Sequence, residues 1–512
     1  VPMYQDSAAT EMAYPIQNAG IAFAMVEDQE QVDKLLEVLP QCPSLKRICY
    51  DEPRGMRHYA QEQLMDYEKL TARGDEYDKA HPDFYAAEVA KGDGADTASM
   101  FFTSGTTGHP KGVVLTHVAL IDSALAAAKM EGLDETEEVL AYLPPAWIGQ
   151  NIFSYAQPYV TGYCICCPES SETVMSDMRE IGPTYYFAPP RVLEALLTQV
   201  SIRIEDLWWG GRKAYHYFMG VAQSVGGRLL DAKPVSVLDR LLYTMGDICV
   251  YGPLRNVLGM SRVRVAYTAG EAIGPDLFRF YRSIGINLKQ LYGSTETSVF
   301  VCVQPNGQVK ADTVGPAVPG VELKFTPQRE LLIRSPGLFK EYYKNPQATA
   351  EALKDGWLLS GDLGSFDAAG FLTITGRKKD IIITAGGKNI APKDIEAGIK
   401  DSLLVSEAVL IGDRRRYLTA LVTLDPEAAA AYADKHGIAG PLHLSGEIRR
   451  EIQATIDSVN KRLARVETVK KFAILPRELS IENGELTGTL KVKRNKVVEH
   501  FDGEIEALYA GN

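Results

Sequence analysis

The stretch that most constrains this chain runs from Ser99 to Gly112 and reads S-M-F-F-T-S-G-T-T-G-H-P-K-G. An apolar run from Met100 to Phe102 predicts a short buried strand, and a second run from Val113 to Leu115 predicts another. Between these runs lie hydroxyl residues, glycines and one lysine, Lys111. The stretch therefore predicts a loop held between two strands.

Glycines allow the backbone of this loop to curl until its N–H groups face one concave side. Hydroxyl groups add donors to that side, and the lysine adds positive charge. The residues concerned are Thr103, Ser104, Gly105, Thr106, Thr107, Gly108 and Lys111. We predict a cradle for a polyanion, which a nucleoside triphosphate fits best. The loop is not a Walker A motif, which requires G-x-x-x-x-G-K-[ST]; the alternative is a glycine- and threonine-rich surface turn.

Length and charge limit the class of protein. The chain has 512 residues, enough for two or more domains, and its net charge of −12 argues against nucleic acid as a partner. Seven scattered cysteines indicate a reducing compartment, and we expect a cytoplasmic protein. Cys164, Cys166 and Cys167 lack partner ligands at metal spacing, so we expect a buried strand there. No apolar run approaches the ~20 residues of a membrane span.

Strand and helix patterns alternate along the first part of the chain, which indicates a mostly parallel sheet. A helix is predicted after Thr116, with its N-terminus close to the loop, where it would favour anions. Residues 202–264 form a longer region of mixed charge with several tryptophans and tyrosines. A solvated helical face is the ordinary interpretation of this region, and contact with a membrane surface through its arginines is the alternative. Because Val1 opens on a predicted strand, we also expect that an N-terminal segment is missing.

The loop T-S-G-T-T-G-x-P-K-G resembles the signature of the adenylate-forming enzymes, which include acyl-CoA synthetases, peptide-synthetase adenylation domains and luciferases. Further stretches resemble the family's motifs in the family's order. They are Y-G-S-T-E-T from Tyr292, S-G-D ending at Asp362, G-R-K-K-D from Gly376, A-G-G-K-N from Ala385 and E-L-T-G-T-L-K ending at Lys491. The resemblance covers essentially the whole chain.

The resemblance implies a fold of two unequal domains. We expect an α/β large N-terminal domain of two mostly parallel sheets with helices, plus a small β-barrel-like subdomain. A smaller α+β C-terminal lid should follow. The expected boundaries are 1–376 for the large domain, 377–380 for the hinge and 381–512 for the lid.

The resemblance also implies nucleotide-binding roles that suit each residue's chemistry. The ring of Tyr292 can stack on adenine, the hydroxyl of Thr295 can donate to the α-phosphate, and Glu296 can hold Mg²⁺. A carboxylate suits the vicinal diol of ribose, which fits Asp362. The other implied nucleotide contacts are Gly270, Glu271, Gly293, Ser294 and Arg377. The alternatives are a strand-end turn for the Tyr292 motif and a turn acid at position 362.

In the lid, Lys491 matches the family's C-terminal lysine. Lys493 and Arg494 are nearby alternatives, and a solvated basic turn is the plain interpretation. Lys379 matches the pivot of the hinge. The glycine-rich loop Ala385, Gly386 and Gly387 matches the loop that lines the pantetheine tunnel of coenzyme A, where glycines let the backbone approach a narrow ligand.

The segment Trp147, Ile148 and Gly149 falls where the family lines its acyl pocket. Many members have a histidine after the prolines of this segment. Here Trp147 takes that place, so a role for the histidine does not carry over. A pocket wall and a core aromatic remain equal interpretations of Trp147.

Together these features predict an ATP-dependent acyl-CoA synthetase that uses ATP, Mg²⁺ and coenzyme A. The residues expected to carry catalysis are Lys491, Glu296, Thr295 and Lys111. Residues 202–264 resemble the helical insertion of synthetases for long-chain acids, and T-L-K resembles the form of the lysine motif in long-chain-type members, so this resemblance favours a fatty acid. Trp147, in contrast, suits an aromatic or medium-chain acid. The rivals are delivery of the acyl group to a carrier protein, a non-catalytic nucleotide-binding regulator and, as a distant third, a luciferase-like oxidation. The oligomeric state stays open.

Overall fold

The computed structural model describes residues 1–103, 110–271, 273–487 and 491–510. Its first part is a three-stranded parallel sheet in the order β1-β2-β3. The elements are α1 (Ala9–Ala19), β1 (Phe23–Val26), α2 (Gln29–Val38), β2 (Arg47–Tyr50), β3 (Leu64–Asp66), α3 (Tyr67–Ala80) and α4 (Phe84–Val89). Helix α2 begins at Asp28, whose side chain accepts a hydrogen bond from the backbone N–H of Gln31. Its buried face, which includes Val32 and Leu35, packs with Ile48 of β2.

The second part is a six-stranded sheet in the order β11-β10-β9-β8-β6-β7, preceded by an antiparallel hairpin of β4 and β5. Its elements are β4 (Thr97–Thr103), β5 (Lys111–Thr116), α5 (His117–Glu131), β6 (Glu138–Leu140), α6 (Ile148–Asn151), α7 (Gln157–Thr161), β7 (Cys164–Cys166), α8 (Val174–Ile181), β8 (Tyr185–Phe187), α9 (Pro190–Glu205), α10 (Trp209–Leu230), α11 (Val237–Gly246), α12 (Gly252–Val257), β9 (Val265–Thr268), α13 (Pro275–Ser283), β10 (Leu288–Tyr292) and β11 (Cys302–Val303). The sheet is parallel except for β10 against β11. Helices cover both faces of such a sheet, which is why Tyr185 and Tyr267 are fully buried.

The third part is an antiparallel sheet. Strands β12, β13, β16 and β15 lie in that order, with β17 beside β16, and β14 instead joins β5 of the hairpin. The elements are β12 (Glu322–Phe325), β13 (Glu330–Arg334), β14 (Glu341–Tyr342), α14 (Pro346–Ala352), β15 (Leu353–Lys354), β16 (Trp357–Phe366) and β17 (Leu372–Arg377). The pairing of β14 with β5 brings residues more than 220 positions apart to one edge.

The C-terminal part packs helices on a mixed sheet in the order β20-β21-β22. Its elements are β18 (Ile382–Ile383), β19 (Asn389–Ile390), α15 (Lys393–Ile399), β20 (Val405–Ile411), β21 (Leu418–Leu424), α16 (Pro426–His436), α17 (Gly446–Asn460), β22 (Val469–Ile474), α18 (Arg494–His500) and α19 (Asp502–Tyr509). The apolar face of α17 is buried at Ile448, Ile452, Ile456 and Val459. This is the α+β unit expected after the hinge, and the predicted fold class is confirmed.

The predicted burial of the cysteine cluster is wrong. The strand itself is present as β7, but Cys164 and Cys167 are exposed. The reason is topological, because β7 is the last strand at one edge of the six-stranded sheet. An edge strand has a neighbour on one side alone, which the sequence of a single strand does not reveal.

The insertion is helical and forms α9 to α12. Helix α11 and the turn after it present an outward apolar face, made of Val237, Leu238, Leu241, Met245 and Ile248. Among the described residues, no helix has the length and the apolar character needed to cross a membrane.

Candidate nucleotide and acyl site

The predicted phosphate loop joins β4 to β5. In the register of this hairpin Thr103 lies opposite Lys111, so both flank the connection. The predicted contacts Ser104, Gly105, Thr106, Thr107 and Gly108 lie outside the described residues. The ammonium of Lys111 lies over the ring of Tyr342, 4.7 Å from its centroid.

The helix N-terminus that was expected beside this loop lies at the far end of β5 from Lys111. Helix α5 does begin after Thr116, whose hydroxyl accepts from the N–H of Ala119 at 3.3 Å. However, Thr116 is opposite Thr97, at the far end of the hairpin from Lys111. Five residue steps along a strand span roughly 16 Å, so the charge of the helix end does not reach Lys111. The strand proved longer than its apolar core, and this moved the helix away.

The segment after β10 is a tightly folded turn. A β-carbon at Gly293 would lie 1.3 Å from the carbonyl oxygen of Val299, so only glycine fits there. Val299 itself has φ 76°, which is strained for a β-branched residue. Ser294 and Thr297 cap the short helix Thr295–Thr297 reciprocally. These constraints hold Thr295 and Glu296 at the carboxyl end of a central strand.

Glu296 is held by a residue that the sequence did not single out. The hydroxyl of Tyr342 donates to Oε1 of Glu296 at 2.8 Å. The carbonyl of Glu296 also accepts from the N–H of Phe339 at 2.8 Å. The same tyrosine contacts Lys111 through its ring, so it links the phosphate hairpin to the Tyr292 motif.

Asp362 is the centre of a second cluster. It lies opposite Arg377 in the ladder of β16 and β17, and Nε of Arg377 donates to its Oδ1 at 3.0 Å. The hydroxyl of Tyr292 donates to its Oδ2 at 2.5 Å. Burial, reinforced by the Asp362 charge, raises the pKa of Tyr292, and the same charge raises the pKa of Arg377. The turn-acid interpretation of Asp362 is wrong, because it lies in a strand with two charge-assisted partners.

Trp147 lies next to the predicted nucleotide residues. A β-carbon at Gly270 would be 3.6 Å from its indole, and its ring centroid is 5.2 Å from that of Phe187. Gly149 permits this packing, since a β-carbon there would come 2.6 Å from the Phe187 ring. Ile148 is buried in the core, whereas Trp147 is only partly buried. Trp147 therefore lies at the edge of the core, beside Gly270.

The structure brings Lys491 of the C-terminal unit to this site. The pKa of Lys491 is lowered to about 8, mainly by burial and also by the nearby Arg377, while Glu271 and Asp362 act in the opposite direction. The backbone N–H of Lys491 donates to the hydroxyl of Thr487 at 3.0 Å. Lys491 thus joins a charged group with Arg377, Glu271 and Asp362.

Ion pairs connect α9 to the C-terminal unit beside this group. Lys400 lies 3.5 Å from Glu194 and 3.3 Å from Glu407, and Arg191 lies 3.7 Å from Glu407. Burial raises the pKa of Glu407 to about 7. The charge of Glu271 acts on both Lys400 and Lys491. We name Arg191, Glu194, Lys400 and Glu407 the α9 cluster.

Both the expected pivot, Lys379, and the glycine-rich loop lie at the protein surface. Lys379 is exposed, whereas its neighbour Lys378 is tied to Glu330 at 3.0 Å and to the carbonyl of Gly361. Ala385, Gly386 and Gly387 form an exposed turn between β18 and β19. Lys491 thus lies beside Arg377 and Asp362, whereas this turn is exposed.

Two protein-family models match consecutive parts of this chain. The family model described as AMP-binding enzyme matches residues 1–343, and the model described as AMP-binding enzyme C-terminal domain matches residues 379–512. The long-chain-fatty-acid–CoA ligase FadD15 of Mycobacterium bovis is 32% identical, over 99% of this chain and 83% of its own length.

Solved structures show the same fold at low identity. The adenylation domain of a carboxylate reductase from Mycobacterium chelonae has a TM-score of 0.70 at 20% identity, over 100% of this chain and 76% of its own. The anthranilate CoA ligase AuaEII, solved with anthranoyl-AMP, has a TM-score of 0.70 at 18% identity, over 98% and 83%. The predicted family is confirmed: the chain belongs to the AMP-binding enzymes, as an AMP-forming acyl-CoA synthetase.

Proposed function

We propose that this enzyme activates a fatty acid, first to acyl-AMP and then to acyl-CoA, by turning its C-terminal unit between two positions. The observation that supports this most is the position of Lys491. A lysine of the C-terminal unit lies among residues of the large domain that suit a nucleotide, namely Glu271, Asp362 and Arg377. The proposed domains are 1–376 and 381–512, with the hinge between them.

In this proposal ATP binds across the carboxyl ends of the central strands. Asp362 accepts from the ribose hydroxyls, and its bonds from Tyr292 and Arg377 hold the carboxylate in place for this role. The loop after Thr103 and the ammonium of Lys111 bind the β- and γ-phosphates. Ser294 and Thr295 approach the α-phosphate from the constrained turn. Gly270, Glu271 and Gly293 complete the nucleotide contacts.

Glu296 is the residue proposed to hold Mg²⁺. Its carboxylate is a hard oxygen ligand held by one hydrogen bond from Tyr342. The described residues contain no group of three or more His, Cys, Asp or Glu that could enclose a metal. This donor set fits Mg²⁺, which protein sites commonly hold through one or two carboxylates and substrate phosphates. When bound, the ion would neutralise phosphate charge.

The first reaction brings two anions together. The substrate carboxylate attacks the α-phosphorus, the bond to the β-phosphate oxygen breaks, and pyrophosphate leaves. Lys491 is proposed to bind both the carboxylate and the α-phosphate through its positive charge. Catalysis here consists of positioning and charge stabilisation, so the chain needs no covalent intermediate.

The second reaction needs a different surface at the same site. The thiol of coenzyme A attacks the acyl carbonyl carbon, and AMP leaves with the electrons of the acyl–oxygen bond. We propose that the C-terminal unit turns about Lys379, so that Lys491 leaves and the turn of Ala385, Gly386 and Gly387 arrives to line the pantetheine. The exposure of that turn supports a structure poised for the first reaction.

The acid is proposed from two features. The FadD15 relative is named a long-chain-fatty-acid–CoA ligase. The alignment with it covers 99% of this chain. Trp147, with Ile148 and Gly149, is proposed to form the wall of the acyl site nearest Gly270. Because an indole at this wall shortens the space, an aromatic or medium-chain acid is the alternative substrate.

One experiment tests the activity and the acid together. ATP–pyrophosphate exchange is measured with acids from acetate to palmitate, and with benzoate and phenylacetate. Thioester formation is then measured with free coenzyme A and with a phosphopantetheinylated carrier protein. We expect exchange to be fastest with a long-chain acid and the thioester to form on free coenzyme A. Exchange without any acyl-CoA would favour a carrier protein, and no exchange with any acid would favour a nucleotide-binding regulator.

The outward face of α11 supports peripheral contact with a lipid surface. The exposed Val237, Leu238, Leu241 and Met245 of α11, with Ile248 just after it, recur at helical spacing over about three turns, and an arginine, Arg240, flanks them. A fatty acid dissolves in lipid, so a lipid-bound enzyme would meet its substrate there. Sedimentation with vesicles of neutral and anionic lipid tests this, and Leu238→Ser with Leu241→Ser should reduce binding. Equal sedimentation of the variant and the parent would contradict it.

We place the enzyme in the cytoplasm, as its unpaired cysteines suit a reducing compartment.

A further inference from the structure

Tyr342 stands between two charged residues of the nucleotide site. Its side chain is buried, with 7% of the residue exposed. Its hydroxyl donates to Glu296 at 2.8 Å, and the ammonium of Lys111 lies over its ring at 4.7 Å from the centroid. One end of the tyrosine therefore contacts a carboxylate and its face contacts a cation.

The backbone around this tyrosine is fixed from both sides. Tyr342 lies opposite Val113 in the pairing of β14 with β5, and the next N–H donates to the carbonyl of Gly112 at 2.8 Å. The N–H of Tyr342 donates to the hydroxyl of Thr349 at 3.0 Å. The Phe339 ring packs against it at 4.7 Å between centroids. The ring thus has little freedom to leave its place.

The charges beside the ring would otherwise attract each other. Lys111 and Glu296 carry opposite charge, yet no ion pair joins them within the described part of the chain. A direct ion pair between Lys111 and Glu296 would make the lysine less available to bind phosphate. It would likewise make the carboxylate less available to bind a metal ion. An aromatic spacer satisfies each charge weakly and leaves both open to ligands.

We propose that Tyr342 is a positioning residue of the nucleotide site, which keeps Lys111 and Glu296 apart and aimed at the triphosphate and its metal ion. This rests on the proposed function, because it assumes that ATP and a divalent cation bind between these residues. Tyr342 touches neither the nucleotide nor the metal ion in this proposal; it acts through Lys111 and Glu296, which do. The hydroxyl holds Glu296 and the ring face holds Lys111, so substitutions that remove one group at a time can separate the two roles.

The test uses the full-length enzyme and measures ATP binding by calorimetry, once in EDTA and once with Mg²⁺. Tyr342→Phe removes the hydroxyl alone. We expect its ATP affinity in EDTA to match the parent, while the gain from Mg²⁺ falls roughly fivefold or more, as expected for a lost hydrogen bond to a charged group. Tyr342→Leu removes the ring as well, and its affinity in EDTA should also fall. Binding of Mn²⁺ to the enzyme–ATP complex, followed by electron paramagnetic resonance, gives a readout that is independent of activity.

Tyr343→Phe is the matched control, because Tyr343 is the neighbouring tyrosine with its own lysine, Lys344, over its ring at 5.1 Å. It should bind ATP like the parent in both buffers. An unchanged Mg²⁺ gain in Tyr342→Phe, with an unchanged melting temperature, would overturn the proposal. If Tyr342→Leu does not fold, the phenylalanine variant still decides it. Failure of the proposed function is distinguishable, because an enzyme that bound ATP and metal as expected but activated no acid would fail in exchange alone.

Discussion

The large domain and the C-terminal unit contribute to the site in different ways. Within the large domain, paired strands hold the site residues in register, as Asp362 with Arg377 and Tyr342 with Val113. The C-terminal unit contributes Lys491 and is joined to α9 by ion pairs, of which Arg191–Glu407 and Lys400–Glu194 span 3.7 and 3.5 Å. Hydrogen bonds from paired strands preorganise a site, whereas a few ion pairs between side chains can break without unfolding either part. This difference fits the proposed fixed nucleotide platform and removable lysine.

The largest effect should come from removing that lysine. Lys491→Ala should lower the rate of acyl-AMP formation by about 10²–10³, the usual cost of one preorganised charge stabiliser. It should still convert supplied acyl-AMP and coenzyme A to thioester, because Lys491 has left the site by then. Single-turnover assays of the two half-reactions measure this.

The matched variant is Lys379→Pro, which keeps Lys491 and stiffens the pivot, since proline fixes φ. It should form acyl-AMP and stall before the thioester. If both variants lose both half-reactions equally, the platform and the lysine do not act separately. If Lys491→Ala adenylates normally, Lys493 becomes the next candidate.

The pH dependence tests the same lysine without deleting it. Lys491 must be protonated to bind anions, and its pKa is lowered to about 8 by burial and Arg377. The positive charge is therefore lost as pH rises through about 8, and kcat/KM for acyl-AMP formation should fall roughly tenfold by pH 9. Lys491→Arg should remove this limb, because an arginine stays protonated. A limb that persists in Lys491→Arg would belong to another group.

The fixed platform is tested at Lys111. Lys111→Ala should weaken ATP binding by roughly tenfold, as expected for a charge-assisted contact, with little change in melting temperature. The melting temperature should change little because the Lys111 ammonium contacts the ring face of Tyr342, and a cation–π contact contributes little to stability. Calorimetry and thermal melting check both parts. A variant that binds ATP like the parent would show that this hairpin does not hold the phosphates.

Much of this arrangement could be predicted from sequence because the informative residues lie in short local motifs. The strands around the phosphate loop, the helix after Thr116 and the apolar face of α17 follow from local periodicity. The role of Tyr342 could not be predicted, since it depends on the pairing of β14 with a strand far away in sequence. The motif residues could be recognised by their likeness to the family's motifs, whereas the E-Y-Y-K stretch that contains Tyr342 resembles none of the motifs that were recognised.

The errors have the same origin. The helix end was expected beside the loop because the length of β5 was not apparent from its apolar core. The cysteine strand was expected to be buried because its edge position depends on the order of all six strands. The α9 cluster joins residues more than 200 positions apart, and its charges look like any solvated helix face in sequence.

The smallest effect should come from substitutions in the α9 cluster. They test most directly whether the C-terminal unit is held in place separately from the nucleotide platform. If these pairs only hold the C-terminal unit in its present position, weakening them should slow the first half-reaction and spare the second. Lys400 also pairs within its own unit with Glu407, so the cleaner change is Glu194→Gln, which removes only the contact across to Lys400. We expect Glu194→Gln and Lys400→Met to lower acyl-AMP formation by about three- to tenfold, because partly buried pairs are worth more than exposed ones. Thioester formation from supplied acyl-AMP should not fall.

The matched control is Lys435→Met, which breaks the exposed pair of Lys435 with Glu205 and should change either rate by less than about twofold. Equal losses in both half-reactions for Glu194→Gln would mean that the cluster supports folding and not the position of Lys491.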